Sequence, residues 1–245
     1  MTTKLPIFPT LANSIKNAFK ETYQSFAFST VTSVISAICS SPIFLIVYAT
    51  FIFIGNSTKN NIPPSELFQT LIMGLILCGV WNTIVVAPIT TAFYCLYQTK
   101  KEGYPSFKIF INLLLKHYRA SFTVNGLYSL ALILLFINIL IAMMERTMFF
   151  FIIGMFSFYL LIFLVLMSFF FAPLIHLNNS IKKTLKKAFL LVMDNTLMTV
   201  LLILFLGVFF VIAIALPIIW FIVFGAILVY VTDLGFYAIY NRYDD

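Results

Sequence analysis

Charged residues are scarce in this chain, and their scarcity excludes an ordinary water-soluble domain. Of 245 residues, only 9% are Asp, Glu, Lys or Arg, whereas 62% are hydrophobic and 18% are aromatic. Soluble domains carry about 25% charged residues, which cover the surface that faces water. The composition therefore predicts an integral membrane protein.

Cysteine is also rare, and signatures of catalysis are missing. The three cysteines form no CxxC pair, so their spacing indicates neither a disulfide framework nor a zinc site. The sequence contains no HExxH, no GxSxG and no Gly-rich phosphate loop. We therefore expect no enzyme activity, no cofactor and no metal. Cys39, Cys78 and Cys95 are interpreted as small packing residues.

Acidic residues are fewer than basic ones, eight against fifteen, which gives a formal net charge of +7. In a soluble protein this excess would suggest nucleic-acid binding. Here the basic residues lie in the links between apolar runs, where the positive-inside rule accounts for them. We therefore expect anionic membrane lipids as partners, and no nucleic acid.

Six apolar runs are long enough to cross a bilayer, which takes about 20 helical residues. They cover approximately residues 26–54, 67–97, 121–142, 148–175, 196–216 and 218–240. The predicted fold is an all-α polytopic membrane protein in a single domain, residues 1–245. Pro42 is expected to kink the first span or to mark the start or end of a shorter crossing. Residues 55–66 are expected to form a loop, and Pro217 is expected to mark the turn between the last two spans.

Three basic amphipathic segments, beginning near residues 11, 105 and 177, each precede a pair of apolar runs. We expect three interfacial helices at the cytoplasmic surface, with their lysines directed to anionic lipid. In the third, Asn179 or Ser180 is expected to cap the helix and Asn195 to end it. Its predicted apolar face is Ile181, Leu185, Ala188, Phe189 and Val192. The predicted lipid-facing basic residues are Lys182, Lys183, Lys186, Lys187, Lys108, Lys116 and Arg119.

The arrangement of one amphipathic segment and two spans divides the chain into possible units 1–97, 98–175 and 176–245. LANSIK at residues 11–16 resembles LNNSIK at residues 177–182. A threefold duplication and the shared composition of membrane-surface helices both explain the likeness, and the sequence leaves the two open.

The basic residues also predict an orientation. Thirteen of the fifteen lie in the termini and in the links on the same side, and the other two are Lys59 and Arg146. The positive-inside rule then places both termini in the cytoplasm, in a multi-pass protein of the plasma membrane.

Few polar residues lie within the spans, and these are the candidate functional groups. Asp233 is the only acid in a span, and it is either a structural ion pair or a functional group. Asn82 is expected to form an interhelical hydrogen bond. His117 and His176 are expected to be interfacial side chains rather than phosphate contacts. A stripe of hydroxyl residues at helical spacing contains Ser25, Ser29, Ser33, Ser36 and Ser40. We favour a helix–helix seam over the wall of a polar path as the role of this stripe.

Two stretches resemble the YesL-type family of bacterial membrane proteins. They are VVAPITTAFYCLYQTKKEGYPSFKIFINLLLKHYRASF, residues 85–122, and FFFAPLIHLNNSIKKTLKKAFLLVMDN, residues 169–195. The resemblance implies a plasma-membrane protein that is an accessory to carbohydrate uptake, and it brings no catalytic residues.

Two functional hypotheses follow from these observations. The first is a non-enzymatic accessory or scaffold of a membrane transport system. The second is a transporter of a small molecule or lipid, with a path lined by Asn82, Asp233 and the serine face Ser29, Ser33, Ser36 and Ser40. An intramembrane enzyme is disfavoured, since no nucleophile–base pair or metal set is visible.

Overall fold

The structure, a computed structural model, describes residues 7–59, 63–100, 106–145, 147–216 and 219–240. Every regular element in these residues is helical, and six helices are long and apolar enough to cross a membrane. The predicted all-α class and the six spans agree with this finding. The predicted turn at Pro217, together with Pro105 and Arg146, lies outside the described residues.

The described helices are numbered α1 to α10. The first four are α1 (Ile7–Gln24), α2 (Phe26–Lys59), α3 (Pro64–Trp81) and α4 (Ala87–Lys100), and a π-helical turn (Asn82–Val86) joins α3 to α4. The next three are α5 (Phe107–Met144), α6 (Met148–Ser168) and α7 (Phe171–His176). The last are α8 (Ile181–Asp194), α9 (Thr196–Ala215) and α10 (Gly225–Tyr240), with a second π-helical turn (Trp220–Phe224) before α10.

The last span forms the centre of the bundle. Over an apolar stretch of 18 residues in this span, 61% of the residues are buried inside the protein. The corresponding share is at most 22% in any other candidate span. Helix α10 packs against α1, α2, α4, α7 and α9. Because α1 packs on α10, the first and the last of the three possible units share one core.

Small residues allow α2 and α10 to approach closely. A Cβ atom on Gly225 would lie 2.9 Å from the Ser33 Cα and 3.0 Å from the Ser36 Oγ. The Ala226 N–H donates to the Ser33 Oγ at 3.2 Å, and the hydroxyls of Ser29 and Tyr230 are hydrogen-bonded at 3.3 Å. The hydroxyl stripe of α2 is therefore a helix–helix seam over these residues, as the spacing predicts.

Side chains satisfy the carbonyls that prolines leave without a helical donor. A proline has no N–H, so the carbonyl four residues earlier loses its partner. For Pro42 this carbonyl belongs to Ile38, and it accepts a bond from the Ser41 hydroxyl at 2.8 Å. For Pro88 it is the Ile84 carbonyl, which accepts from the Tyr118 hydroxyl of α5 at 3.3 Å. Helix α2 consequently continues through Pro42 to Lys59.

Two helix boundaries in the structure differ from those predicted from the sequence. Helix α2 extends to Lys59 and α3 begins at Pro64, so the segment between these helices is shorter than the predicted loop 55–66. The fourth span ends at Ser168 rather than near residue 175, and α7 begins at Phe171. Pro173 explains the second difference, because its missing N–H and its ring disfavour continuation of α6.

The second amphipathic segment does not form a separate helix. It is the first part of α5, which runs without interruption from Phe107 to Met144. Ser106 caps the start of this helix, and its hydroxyl accepts from the Ile109 N–H. The segment has no internal Pro or Gly to end the helix before the span. At about 1.5 Å per residue, α5 is much longer than the ~30 Å hydrocarbon layer.

The other two amphipathic segments are separate helices, α1 and α8. Helix α8 follows Ser180 and ends before Asn195, at the predicted positions, but the Ser180 side chain makes no capping hydrogen bond. Thr184, outside the predicted apolar face, is fully buried in the bundle, whereas Phe189 of that face is 47% exposed and packs its ring against Phe163. The buried residues of α8 are Thr184, Ala188, Leu191 and Val192. Polar Thr184 contributes to the core here because the helix packs against α6 and α7 as well as facing outward.

We predict that Gly225→Ala destabilises the protein by about 1–3 kcal/mol, because the new methyl group would overlap the α2 backbone. Thermal unfolding of the purified protein in detergent measures the effect as a lower Tm. Gly207→Ala in α9 is the matched control, since a Cβ there would meet nothing within 4 Å. Equal Tm values for the two variants would contradict the close α2–α10 contact.

Candidate functional site

Asp233 lies at the centre of a polar layer between α10 and α4. Its side chain is fully buried, and its Oδ1 accepts a hydrogen bond from the Tyr94 hydroxyl at 2.8 Å. The Gln98 amide also donates to Oδ1, and it donates to the Tyr94 oxygen at 3.2 Å. A buried carboxyl group without such partners would be strongly unfavourable. Two neutral donors from α4 therefore help to hold Asp233 in the core.

The serine seam continues this polar layer along α10. The Tyr230 hydroxyl bonds to Ser29, and the rings of Tyr230 and Tyr97 lie 4.6 Å apart between their centroids. The Ser29 hydroxyl also approaches the Thr22 carbonyl at 3.2 Å, close to the end of α1. Hydroxyl groups thus connect α1, α2, α4 and α10 inside the bundle.

Asn82 belongs to a different part of the bundle. It begins the first π-helical turn and lines an open cavity of about 330 Å³ with Cys78, Gly79 and Ser129 among others. Within the described residues its side chain makes no hydrogen bond, and the neighbouring Thr83 hydroxyl makes the contact to the Ser129 hydroxyl, at 3.1 Å. The interhelical bond predicted for Asn82 is therefore made by Thr83.

The serine face lines a cavity that is distinct from the one beside Asn82. This smaller cavity, of about 80 Å³, is bordered by Ser33, Ser36 and Ser40 and by the aromatic rings of Trp220 and Phe224. Asp233 is enclosed by its hydrogen-bond partners. The structure therefore places the three proposed parts of a transport path in three separate surroundings.

His117 lies in the core, and His176 lies at the edge of the core. His117 of α5 is 5% exposed, and His176 at the end of α7 is half-buried, with a distance of 6.4 Å between their ring centroids. The Cys95 thiol of α4 completes the cluster, and the three potential ligand atoms lie within 4.8 Å of one another. His117, for which the sequence predicts an interfacial side chain, is buried between helices, because continuous α5 turns this residue towards α4 and α7.

Tyr94 connects this cluster to the Asp233 layer. Its ring contacts the His176 ring edge to face, with 5.8 Å between the centroids, and its hydroxyl bonds to Asp233. Cys95 is the next residue of the same helix. One turn of α4 thus contributes both to the polar layer and to the Cys–His cluster, and these residues form the candidate functional site.

The predicted lipid-facing basic residues are mostly exposed. Six of the seven, Lys182, Lys183, Lys186, Lys108, Lys116 and Arg119, lie at the surface. The exception is Lys187, which is half-buried with its ammonium nitrogen 5.7 Å from the centroid of the Tyr240 ring. This cation–π contact joins α8 to the end of α10.

Sequence reasoning missed Tyr94, Gln98 and the Cys–His cluster because the residues come from distant segments. One signal could have indicated the position of His117. It has the helical spacing of Phe110, Ser121 and Val124, all of which are buried. The positions of Cys95 and His176 relative to it depend on how three helices pack.

A comparison with protein-family models finds no match for this chain, and comparisons with curated proteins and with solved structures find none either.

We predict that Tyr94→Phe lowers the free energy of unfolding by about 1–3 kcal/mol, because it leaves a buried carboxyl with one donor fewer. The variant keeps the ring and removes only the hydroxyl. Chemical or thermal unfolding in detergent measures the loss. Tyr159→Phe is the control, since Tyr159 is exposed on α6 and should change stability by less than about 0.5 kcal/mol. A similar loss in both variants would contradict the assigned role of Tyr94.

Proposed function

We propose that this chain is a non-enzymatic, multi-pass accessory or scaffold protein of a membrane transport system. The observation behind this proposal is that Asp233 and two residues of the serine face take part in contacts between the chain's own helices. Asp233 accepts bonds from Tyr94 and Gln98, and Ser29 and Ser33 bond across the seam to α10. A chain built in this way supports a partner through its surface rather than by moving a solute through its centre.

The proposal includes an orientation in the plasma membrane. Both termini face the cytoplasm, and α1, α8 and the first part of α5 lie at the cytoplasmic surface. Support comes from the distribution of basic residues, thirteen of fifteen of which fall on the side of the termini. The exposed lysines of α8 then face the anionic headgroups of that leaflet.

The carbohydrate-uptake role rests on the resemblance to YesL-type proteins alone. It gives the accessory proposal a first class of partner to examine, namely the membrane subunits of a carbohydrate transporter. The alternative, a transporter of a small molecule or lipid, would need Asn82, Asp233 and the serine face to line one path. Their separate surroundings give this alternative less support.

The test combines purification from native membranes with a transport assay. We expect the chain, tagged and expressed at its natural level, to co-purify in a fixed ratio with membrane subunits of a transporter. Deletion of the chain should lower the uptake rate of that transporter's substrate severalfold, and re-expression should restore the rate. The purified chain alone, reconstituted in liposomes, should move none of that substrate.

Two outcomes would contradict the proposal. One is solute flux through the purified chain alone, since that would make it the transporter. The other is a chain that purifies without stoichiometric partners and whose deletion leaves uptake unchanged. Wild-type chain re-expressed without the tag controls for effects of the tag itself.

A further inference from the structure

We propose that Cys95, His117 and His176 bind one transition-metal ion of the Zn²⁺ class. Three different helices each supply one ligand, Cys95 from α4, His117 from α5 and His176 from α7. The site would join these helices at a single point in the core. It is independent of the accessory role, since a scaffold with or without a metal could support a partner.

The distances are close to those of a coordination sphere. All three ligand atoms lie within 4.8 Å of one another. In a tetrahedral zinc site with bonds of about 2.0–2.3 Å, the ligand atoms lie roughly 3.3–3.7 Å apart. Each pair must therefore close by at most about 1.5 Å, which side-chain rotations of one thiol and two imidazoles can supply.

The ligand types select the class of ion. Magnesium and calcium prefer oxygen ligands, and no carboxylate belongs to this cluster in the described part of the chain. One thiolate and two imidazoles suit zinc and its neighbours in the first transition series. Three protein ligands also leave a fourth position for water or an exogenous group, as in exchangeable or catalytic zinc sites.

The three proposed ligands differ in their burial. Cys95 is fully buried and His117 nearly so, whereas His176 is half-buried at the end of α7. The exposed side of His176 provides the approach from outside the core. The Tyr94 ring packs against the His176 ring and restricts its orientation, and Tyr94 is itself held by Asp233. Such outer contacts are typical of ordered metal sites.

The test measures metal binding by the full chain, purified in detergent with a tag that contains no histidine. After treatment with EDTA, the wild type should bind one Zn²⁺ per chain and show a higher Tm with zinc than without it. Cobalt(II), as a stand-in for zinc, should give a thiolate-to-cobalt charge-transfer band. His176→Gln should weaken zinc binding about 100-fold or more, since loss of outer contacts alone costs roughly 10- to 100-fold.

Cysteine variants identify the sulfur ligand, and the first of them leaves the cluster intact. A double variant, Cys39→Ser with Cys78→Ser, retains Cys95 as its only cysteine and should keep the cobalt band. Adding Cys95→Ser should abolish the band. Lys116→Gln is the control for charge beside the site, and it should bind zinc within severalfold of the wild type because it removes no ligand.

Three results would overturn the proposal. They are substoichiometric zinc in the wild type, a cobalt band that persists without Cys95, and zinc affinity that His176→Gln leaves unchanged. Helical circular dichroism and size-exclusion profiles establish that each variant is folded before its binding is compared. Because the double variant leaves all three proposed ligands in place, absence of its cobalt band in folded protein would also count against the site.

Discussion

Burial of the last span is the constraint on which the rest of this structure depends. Helix α10 is the most enclosed candidate span, and a buried helix in a membrane protein gains little from excluding lipid. Its stability has to come from close packing and from hydrogen bonds between helices. Gly225 provides the close packing, since it allows α2 to approach at the level of Ser33 and Ser36. Asp233 makes hydrogen bonds necessary, since its buried carboxyl needs donors, which Tyr94 and Gln98 of α4 supply.

The same requirement explains several contacts that are unrelated in sequence. A polar group left without a partner inside a membrane bundle costs several kcal/mol. Among the described residues, the buried hydroxyls of Thr32 and Thr184 have no hydrogen-bond partner, but other carbonyls and hydroxyls have one nearby. Tyr118 donates to the carbonyl freed by Pro88, and Thr83 bonds to Ser129 across the same pair of helices. The Cys–His cluster lies beside this network, where α4, α5 and α7 meet. Structural bonding thus accounts for most of the polar interior, and the cluster is the part that has ligand chemistry of its own.

The class of the fold could be predicted from the sequence, because hydropathy over about 20 residues is a local property. The seam along α2 could also be predicted, since the serines repeat at helical spacing. Helix ends were harder to predict. The start of a new helix at Phe171 follows from Pro173. The length of α5 could not be predicted, because the sequence does not show whether an amphipathic segment continues into the following span as one helix. The candidate site could not be predicted from the sequence, because Tyr94, Asp233 and the Cys–His cluster come together only through the packing of several helices. The burial of Thr184 in α8 depends on the same packing.

The central claim is that the polar interior is closed by contacts between helices, and cysteine accessibility tests it most directly. Ser33→Cys and Ser36→Cys would be introduced singly into a chain whose native cysteines are replaced by serine, and treated in sealed cells with a membrane-impermeant thiol reagent. Ser57→Cys, in the predicted outer part of the chain, is the positive control and should react from outside. The account predicts that Ser33→Cys and Ser36→Cys resist the reagent both before and after permeabilisation. Rapid labelling at either seam position would show a water-filled path and contradict the account.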